Sequence, residues 1–273
     1  MRDVMLAIEA STSTGSLALL RGPAVIAEAQ TPMRSADGER LLPVLVQLLA
    51  DANLASADLS RIICSAGPGG FTSLRIAAAI GKGLAESLGV ELWAMSPLAL
   101  LAVGDAARGA VDRVRPPTTR PANAPGGDSV TDRGGASRPA ESTADGAAVG
   151  GGGDETTREV IAVLDAMRGE WYAQHLRRGA DGHVVAIDRW RILGQEALTA
   201  LAARAGGRVV GAGAATFPGG CEAIPHARDV ARLAHGDLFY PVDIARWEPD
   251  YGRLAEAQVK WEQAHGRALE AAE

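Results

Sequence analysis

Two stretches near the amino terminus carry residue types that hold phosphates. Glu9-Ala10-Ser11-Thr12-Ser13-Thr14-Gly15-Ser16 sets an acid ahead of a run of hydroxyls and a glycine. In a hairpin turn, backbone amides can hold a phosphate while an acid holds a metal. Ser11, Thr12 and Ser13 are the candidate contacts there. The acid is Glu9 and the turn lacks an early glycine, so a polar turn between two core strands is the plainer reading. The second stretch is Gly67-Pro68-Gly69-Gly70, just ahead of a helical pattern. Free amides and the helix dipole at such a start can bind an anion, which makes Gly69 and Gly70 candidates. No Lys follows where a P-loop needs one, so this is not a Walker motif. Both loops read as vestigial.

Other chemistry has thinner support. His175, His183, His226, His235 and His265 are scattered without His-x3-His spacing, and Cys64 and Cys221 lie far apart, so no metal site is expected. There is no Gly-x-Ser-x-Gly elbow. Val210-Gly211-Ala212-Gly213 is a lone glycine pair after a strand, a weak nucleotide-loop signal. Asp165 and Glu170 flank a hairpin turn and are read as capping it. No residue is assigned a catalytic role.

The elements that must position these loops are legible in the front of the chain. Val4 to Ile8, Leu17 to Leu20 and Val25 to Ala29 are strands joined by two tight turns, an antiparallel meander. A helix from Glu39 to Ala52 carries Leu41, Leu42, Leu45, Leu48 and Leu49 at helical spacing, with Pro43 near its start. Ile62 to Ser65 is a strand. A helix from Thr72 to Leu88 follows, with Thr72 or Ser73 as N-cap and Gly89 as its stop, and then a strand from Leu92 to Met95. The order β-β-β-α-β-α-β predicts a ribonuclease-H-like lobe, the building block of the actin, Hsp70 and sugar-kinase superfamily.

The back of the chain repeats the pattern in reduced form. Val160 to Leu164 and Trp171 to Leu176 form a hairpin, with a third strand at Val184 to Ile187, a helix at Gly194 to Ala205 and a strand at Arg208 to Gly211. Between the halves lies a segment of Pro, Thr, Gly, Ala, Asp and Arg that cannot bury enough apolar surface to offset its ordering entropy. The chain is therefore an α/β protein of two ribonuclease-H-like lobes: 1–110, a disordered insertion at 111–157, and a smaller back lobe at 158–273 that ends in a charged helix from Leu254 to Ala272.

The helix after Gly70 is unusually thin. Ala77, Ala78, Ala79, Gly81, Gly83 and Ala85 sit around a stripe of Ile76, Ile80 and Leu84. One face must pack on the sheet, and the small residues elsewhere permit close approach of another helix, within the chain or on a partner. Bulk properties narrow the classes further. A net charge of −6 over 273 residues leaves no basic footprint for wrapping nucleic acid alone. Two distant cysteines suit a reducing compartment. The apolar start of the chain is too short for a signal or membrane segment, so the expected location is cytoplasmic, with no membrane partner.

At this point the residues resemble a known family. Gly67-Pro68-Gly69-Gly70-Phe71-Thr72-Ser73-Leu74-Arg75-Ile76 is similar to the Gly-Pro-Gly-Ser-Phe-Thr-Gly-Leu-Arg-Ile signature of the TsaB (YeaZ) family. Leu6 to Thr12, Glu39-Arg40-Leu41-Leu42-Pro43, Val163 to Ala173 and Pro249-Asp250-Tyr251-Gly252-Arg253 resemble further family motifs. The resemblance implies a non-catalytic scaffold in the formation of N6-threonylcarbamoyladenosine beside the anticodon of tRNAs reading codons that begin with A. It implies docking on TsaD, the catalytic paralogue, with the ATPase TsaE joining the pair. It further implies no cofactor bound alone, ATP used by the complex, and tRNA met only through the complex. The chain would have no activity of its own and be a required subunit of a tRNA threonylcarbamoyltransferase.

The family contact is a helical bundle of the two front helices, and the faces assigned to it here are Leu41, Leu45, Leu48, Arg75, Ala78, Ala79 and Lys82. Those helices can also pair with a second copy where TsaD is absent. Ser73 and Gly70 are small swaps against the signature, Glu9 replaces the usual Asp, and Gln30 to Gly38 lacks the His often found there. The alternative is a nucleotide-dependent enzyme of the same superfamily, a small-molecule kinase or a peptidase. The first needs a metal-holding Asp in the first hairpin, the second a cluster of metal ligands.

Overall fold

The computed structural model describes residues 3–33, 40–111, 158–179, 183–253 and 265. Apart from Val111 and His265, the expected insertion and the expected terminal helix lie outside these residues, as does Glu39.

The front sheet begins as a meander of β1 (Val4–Glu9), β2 (Thr14–Arg21) and β3 (Ala24–Pro32). The chain then runs through α1 (Leu41–Asp51), β4 (Leu59–Ser65), α2 (Phe71–Leu88), β5 (Glu91–Met95) and α3 (Pro97–Val111). β4 lies parallel to β1 and β5 parallel to β4. The register sets Ile8 beside Cys64, so β1 and β4 end together and release their loops side by side.

The back sheet is built on the hairpin of β6 (Arg158–Asp165) and β7 (Glu170–Arg178). β8 (Val184–Ala186) and β9 (Arg191–Gly194) both pair with β7. After α4 (Gln195–Ala205), β10 (Arg208–Gly211) runs parallel to β6, and β11 (Cys221–Glu222) parallel to β10. A meander followed by parallel strands appears in both lobes, and among the described residues the back lobe has one α-helix, α4, against three in the front, a reduced copy as the sequence predicts.

Beyond the short strands β9 and β11, which the sequence reading does not contain, two further elements differ from it. Residues 239–242, placed by sequence in the back lobe, form β12 (Phe239–Val242), which pairs with β5 and closes the front sheet. The front sheet therefore runs β12-β5-β4-β1-β2-β3. The other is α3, which the sequence reading does not contain. Leu98, Leu101, Ala102 and Val103 pack into the core of the back sheet, while Leu100 packs with Ala7, Ala18, Ile63 and Met95 of the front sheet. A helix held between two sheets is apolar all round and shows no stripe.

α1, with Pro43 in its first turn, and α2 cover one face of the front sheet, where Leu6, Ile8, Leu17, Leu41, Leu45 and Ile62 form the core. α2 starts at Phe71, ahead of both expected caps, Thr72 and Ser73: Gly70 occupies the N-cap position and contributes no side chain. At its other end Gly89 is left-handed (φ +64), with Val90 N donating to Ala85 O, as expected.

Candidate functional site

α1 and α2 turn their inner faces into the core, and this corrects the residues assigned to docking. Leu41, Leu45 and Leu48 are buried on α1 and Ala78 on α2. Side chains committed to the chain's own core cannot be offered to a partner. The outward face of α1 carries Leu42 and Val46, 44% and 61% exposed, together with Pro43, Gln47, Ala50 and Asp51. On α2 the outward ridge contains Arg75, Ala79 and Gly83, with Ile76, Ile80 and Lys82 half-buried at its flanks. Arg75, Ala79 and Lys82 thus stay at the surface, Lys82 on the rim of a groove shared with Glu86 and Asp243.

The two glycines of α2 have opposite surroundings. A Cβ on Gly81 would overlap the Sγ of Cys64, so the chain itself requires glycine there. A Cβ on Gly83 would meet nothing within 4 Å. Glycine inside a helix costs roughly 0.5–1 kcal/mol against alanine. Nothing within the described residues compensates for that cost at Gly83. The bare ridge of α2 can meet another helix closely, and α1 exposes an apolar pair of its own.

The two loops read as phosphate-like are closed on each other. Ser11 O accepts from Gly70 N at 2.8 Å, so the amide nearest the start of α2 is already used. Gly69 is pressed against Ser11, and a Cβ there would lie 2.5 Å from Ser11 O. Thr12 is spent locally: its hydroxyl donates to Thr14 O (2.9 Å) and accepts from Thr14 N. Ser13 O accepts from Met33 N across the sheet edge. Ser11, Gly69 and Gly70 are brought together, but as a packed joint. This geometry does not fit a phosphate held between Ser11 and Gly70.

Glu9 sits beneath that joint, fully buried. Its Oε1 accepts from Ser11 N (2.8 Å) and Ser65 Oγ (3.2 Å), while Oε2 makes no hydrogen bond of ordinary geometry among the described residues. Burial pushes its carboxyl up to about 7, against the opposing pull of Ser11 and Ser65. Burial likewise pushes the Cys64 thiol up to about 12, so it is an inert core residue.

The β6–β7 hairpin faces this region from the other lobe. Met167, Arg168 and Gly169 are all left-handed, with φ of 64°, 60° and 74°. Asp165 Oδ1 accepts from Met167 N at 2.7 Å, the capping role expected of it. Glu170 is not a cap: it pairs with Arg253. The segment carrying Arg253 was visible to sequence reading only as a motif. Its partners lie far away in the chain, and no local signal announces them. Among the described residues no group of three His, Cys, Asp or Glu could hold a metal, and no helix is long and apolar enough to cross a membrane.

A family model described as "TsaD: tRNA N6-adenosine threonylcarbamoyltransferase" matches residues 34–118. The tRNA threonylcarbamoyladenosine biosynthesis protein TsaB of Bacillus subtilis is 41% identical over 98 residues, 36% of this chain and 43% of that protein. TsaB of Buchnera aphidicola subsp. Schizaphis graminum is 29% identical over 102 residues, 37% of this chain and 48% of that protein. The chain thus spans less than half the length of these curated relatives. Among solved structures, YeaZ from Pseudomonas aeruginosa superposes with a TM-score of 0.64 at 22% identity, over 91% of this chain and 99% of that one. A structure described as an uncharacterized protein with similarity to peptidase YeaZ, from the same organism, superposes with a TM-score of 0.62 at 24% identity, over 92% and 100%.

The two sheets define a two-lobed α/β protein of ribonuclease-H-like topology. The chain is similar to TsaB proteins over 36% of its sequence and to a YeaZ structure in fold over 91% of its length, and the resemblance read from its sequence is borne out.

Proposed function

We propose that this chain is the TsaB-type, non-catalytic subunit of the assembly that forms N6-threonylcarbamoyladenosine beside the anticodon of tRNAs reading A-starting codons. It acts by docking on a TsaD-type catalytic subunit. The observation that carries this reading is that both front helices expose apolar or bare positions, Leu42 and Val46 on α1 and Ala79 and Gly83 on α2, the last a glycine that the chain's own packing does not require. The likeness of part of the chain to curated TsaB proteins supports the pathway.

In this reading a TsaE-type ATPase joins the pair, ATP is used by the complex, and tRNA is met only through the complex. The subunit takes no nucleotide of its own, which the closed Ser11–Gly70 joint supports. It works in the cytoplasm, and without its partner the same face pairs with a second copy. The test is co-elution with TsaD from the same organism on size exclusion with light scattering. A heterodimer is expected, replacing any homodimer. Separate peaks with folded TsaD would overturn the reading.

A further inference from the structure

Residues 247–253 cross from one lobe to the other. Trp247 packs against the core under α1 and α2. Asp250 N donates to Ala66 O at 2.8 Å, just past the end of β4. Gly67 has a left-handed backbone (φ +82), and a Cβ on it would overlap the Asp250 carbonyl. The Tyr251 ring lies 4.7 Å from that of Phe71, the first residue of α2. One turn further along α2, the Arg75 guanidinium lies over both rings, 4.4 Å from the Phe71 centroid and 5.6 Å from that of Tyr251. The next residues belong to the other lobe. Gly252 (φ +72) fits against the Tyr172 ring, Tyr172 Oη donates to Tyr251 O at 3.4 Å, and Arg253 pairs with Glu170.

The start of α2 needs this support. Its N-cap is Gly70, with no side-chain cap, and its first turn carries no acid. Helix starts leave amides unsatisfied, and a side-chain cap or an acid normally steadies them. Here Phe71 and Arg75 are instead held by Tyr251. On the other side, the hairpin that presents Glu170 is fixed by three consecutive left-handed residues and the Asp165 cap.

We infer that Tyr251 and Arg253 are positioning residues for α2: the strap conveys the placement of the back-lobe hairpin to the first turn of the docking helix. Glu170, which lies on neither α1 nor α2, then tunes docking through Arg253 and Tyr251. The effect on docking rests on the function proposed above; the effect on α2 does not.

The test is backbone hydrogen exchange on the full chain, with affinity for the TsaD-type subunit measured in parallel. Glu170→Ala and Tyr251→Ala should each speed exchange at Leu74 and Asp250 by about fivefold or more, leaving β1 and β6 unchanged. Each should also weaken partner affinity by about threefold or more. Tyr251→Phe keeps the ring and should match the native chain. The charge swap Glu170→Arg with Arg253→Glu should restore both readouts. Exchange within about twofold of native at residues 70–75 in both Ala variants overturns the inference, as does uniform acceleration across both lobes. Faster exchange with unchanged affinity overturns its docking half. If the native chain fails to bind TsaD at all, the proposed function falls while exchange still decides the positioning role.

Discussion

Gly81 of α2 lies directly on the Sγ of Cys64 on β4, so close that a Cβ at 81 would overlap the sulfur. The same thiol sits 3.6 Å from Ala77 O, so one sulfur fills the space beneath two turns of the helix. Overpacking a tight core contact costs about 1–3 kcal/mol. Gly81→Ala should therefore lower stability by about that amount in chemical denaturation, despite alanine's better helix propensity. Adding Cys64→Ala should recover part of the loss, because the two changes share one contact and are not additive. Additive losses would place the clash elsewhere.

Ala78 and Ala79 are neighbours in sequence with opposite fates. Ala78 is 6% exposed and faces the sheet, whereas Ala79 faces outward. Ala78→Arg should unfold the chain, since an unpaired buried guanidinium cannot be accommodated. Ala79→Arg should leave the melting temperature nearly unchanged and weaken TsaD binding by about tenfold or more. Gly83→Ala should stabilise the free chain by about 0.5–1 kcal/mol, because the new methyl meets only open space. Paired calorimetry and titration of the three variants separate fold from docking. Unimpaired binding by Ala79→Arg would remove this ridge from the interface.

The carboxyl of Glu9 is held up to about 7 by burial, against an ordinary value of 4.5. The folded chain therefore binds a proton more tightly than the unfolded chain. The stability linked to this group is full below about pH 4.5 and is lost as pH rises through about 7. The loss is on the order of 3 kcal/mol. Glu9→Gln keeps an acceptor for Ser11 N and carries no charge, so its unfolding free energy should stay flatter between pH 5 and pH 8, exceeding the native value at about pH 8. Parallel slopes for the native chain and Glu9→Gln would show that this carboxyl does not titrate in that window.

Both lobes were legible in the sequence because hairpin turns and helical stripes are local signals. Leu41, Leu45 and Leu48 gave α1 by their spacing. The same spacing misled about docking, since an apolar stripe marks the face a helix buries in its own domain first. On α2, small residues occur all round the helix, so size alone could not separate Ala78 from Ala79. α3 was missed because Leu98 to Val103 is buried on every side between two sheets. β12 carries Pro241, which argues against a strand in general but is tolerated at a sheet edge, where β12 lies. The strap from Trp247 to Arg253 has no period at all. Its order comes from contacts to residues such as Ala66 and Glu170, far away along the chain.

The joint between strap and loop should be sensitive at Gly67 for reasons that Gly22 can separate. Both are left-handed, with φ of 82° and 56°. A Cβ on Gly22 would meet nothing within 4 Å, whereas one on Gly67 would overlap the carbonyl of Asp250. Gly22→Ala therefore measures backbone strain alone, about 1–2 kcal/mol. Gly67→Ala adds a steric conflict with backbone, which no rotamer change can relieve, for a total of about 2–4 kcal/mol. If the strap yields instead, the stability loss falls toward that of Gly22→Ala, and the Asp250 amide, released from Ala66 O, exchanges faster. Equal losses for the two variants with an unchanged Asp250 amide would mean that the strap does not press on this loop in solution.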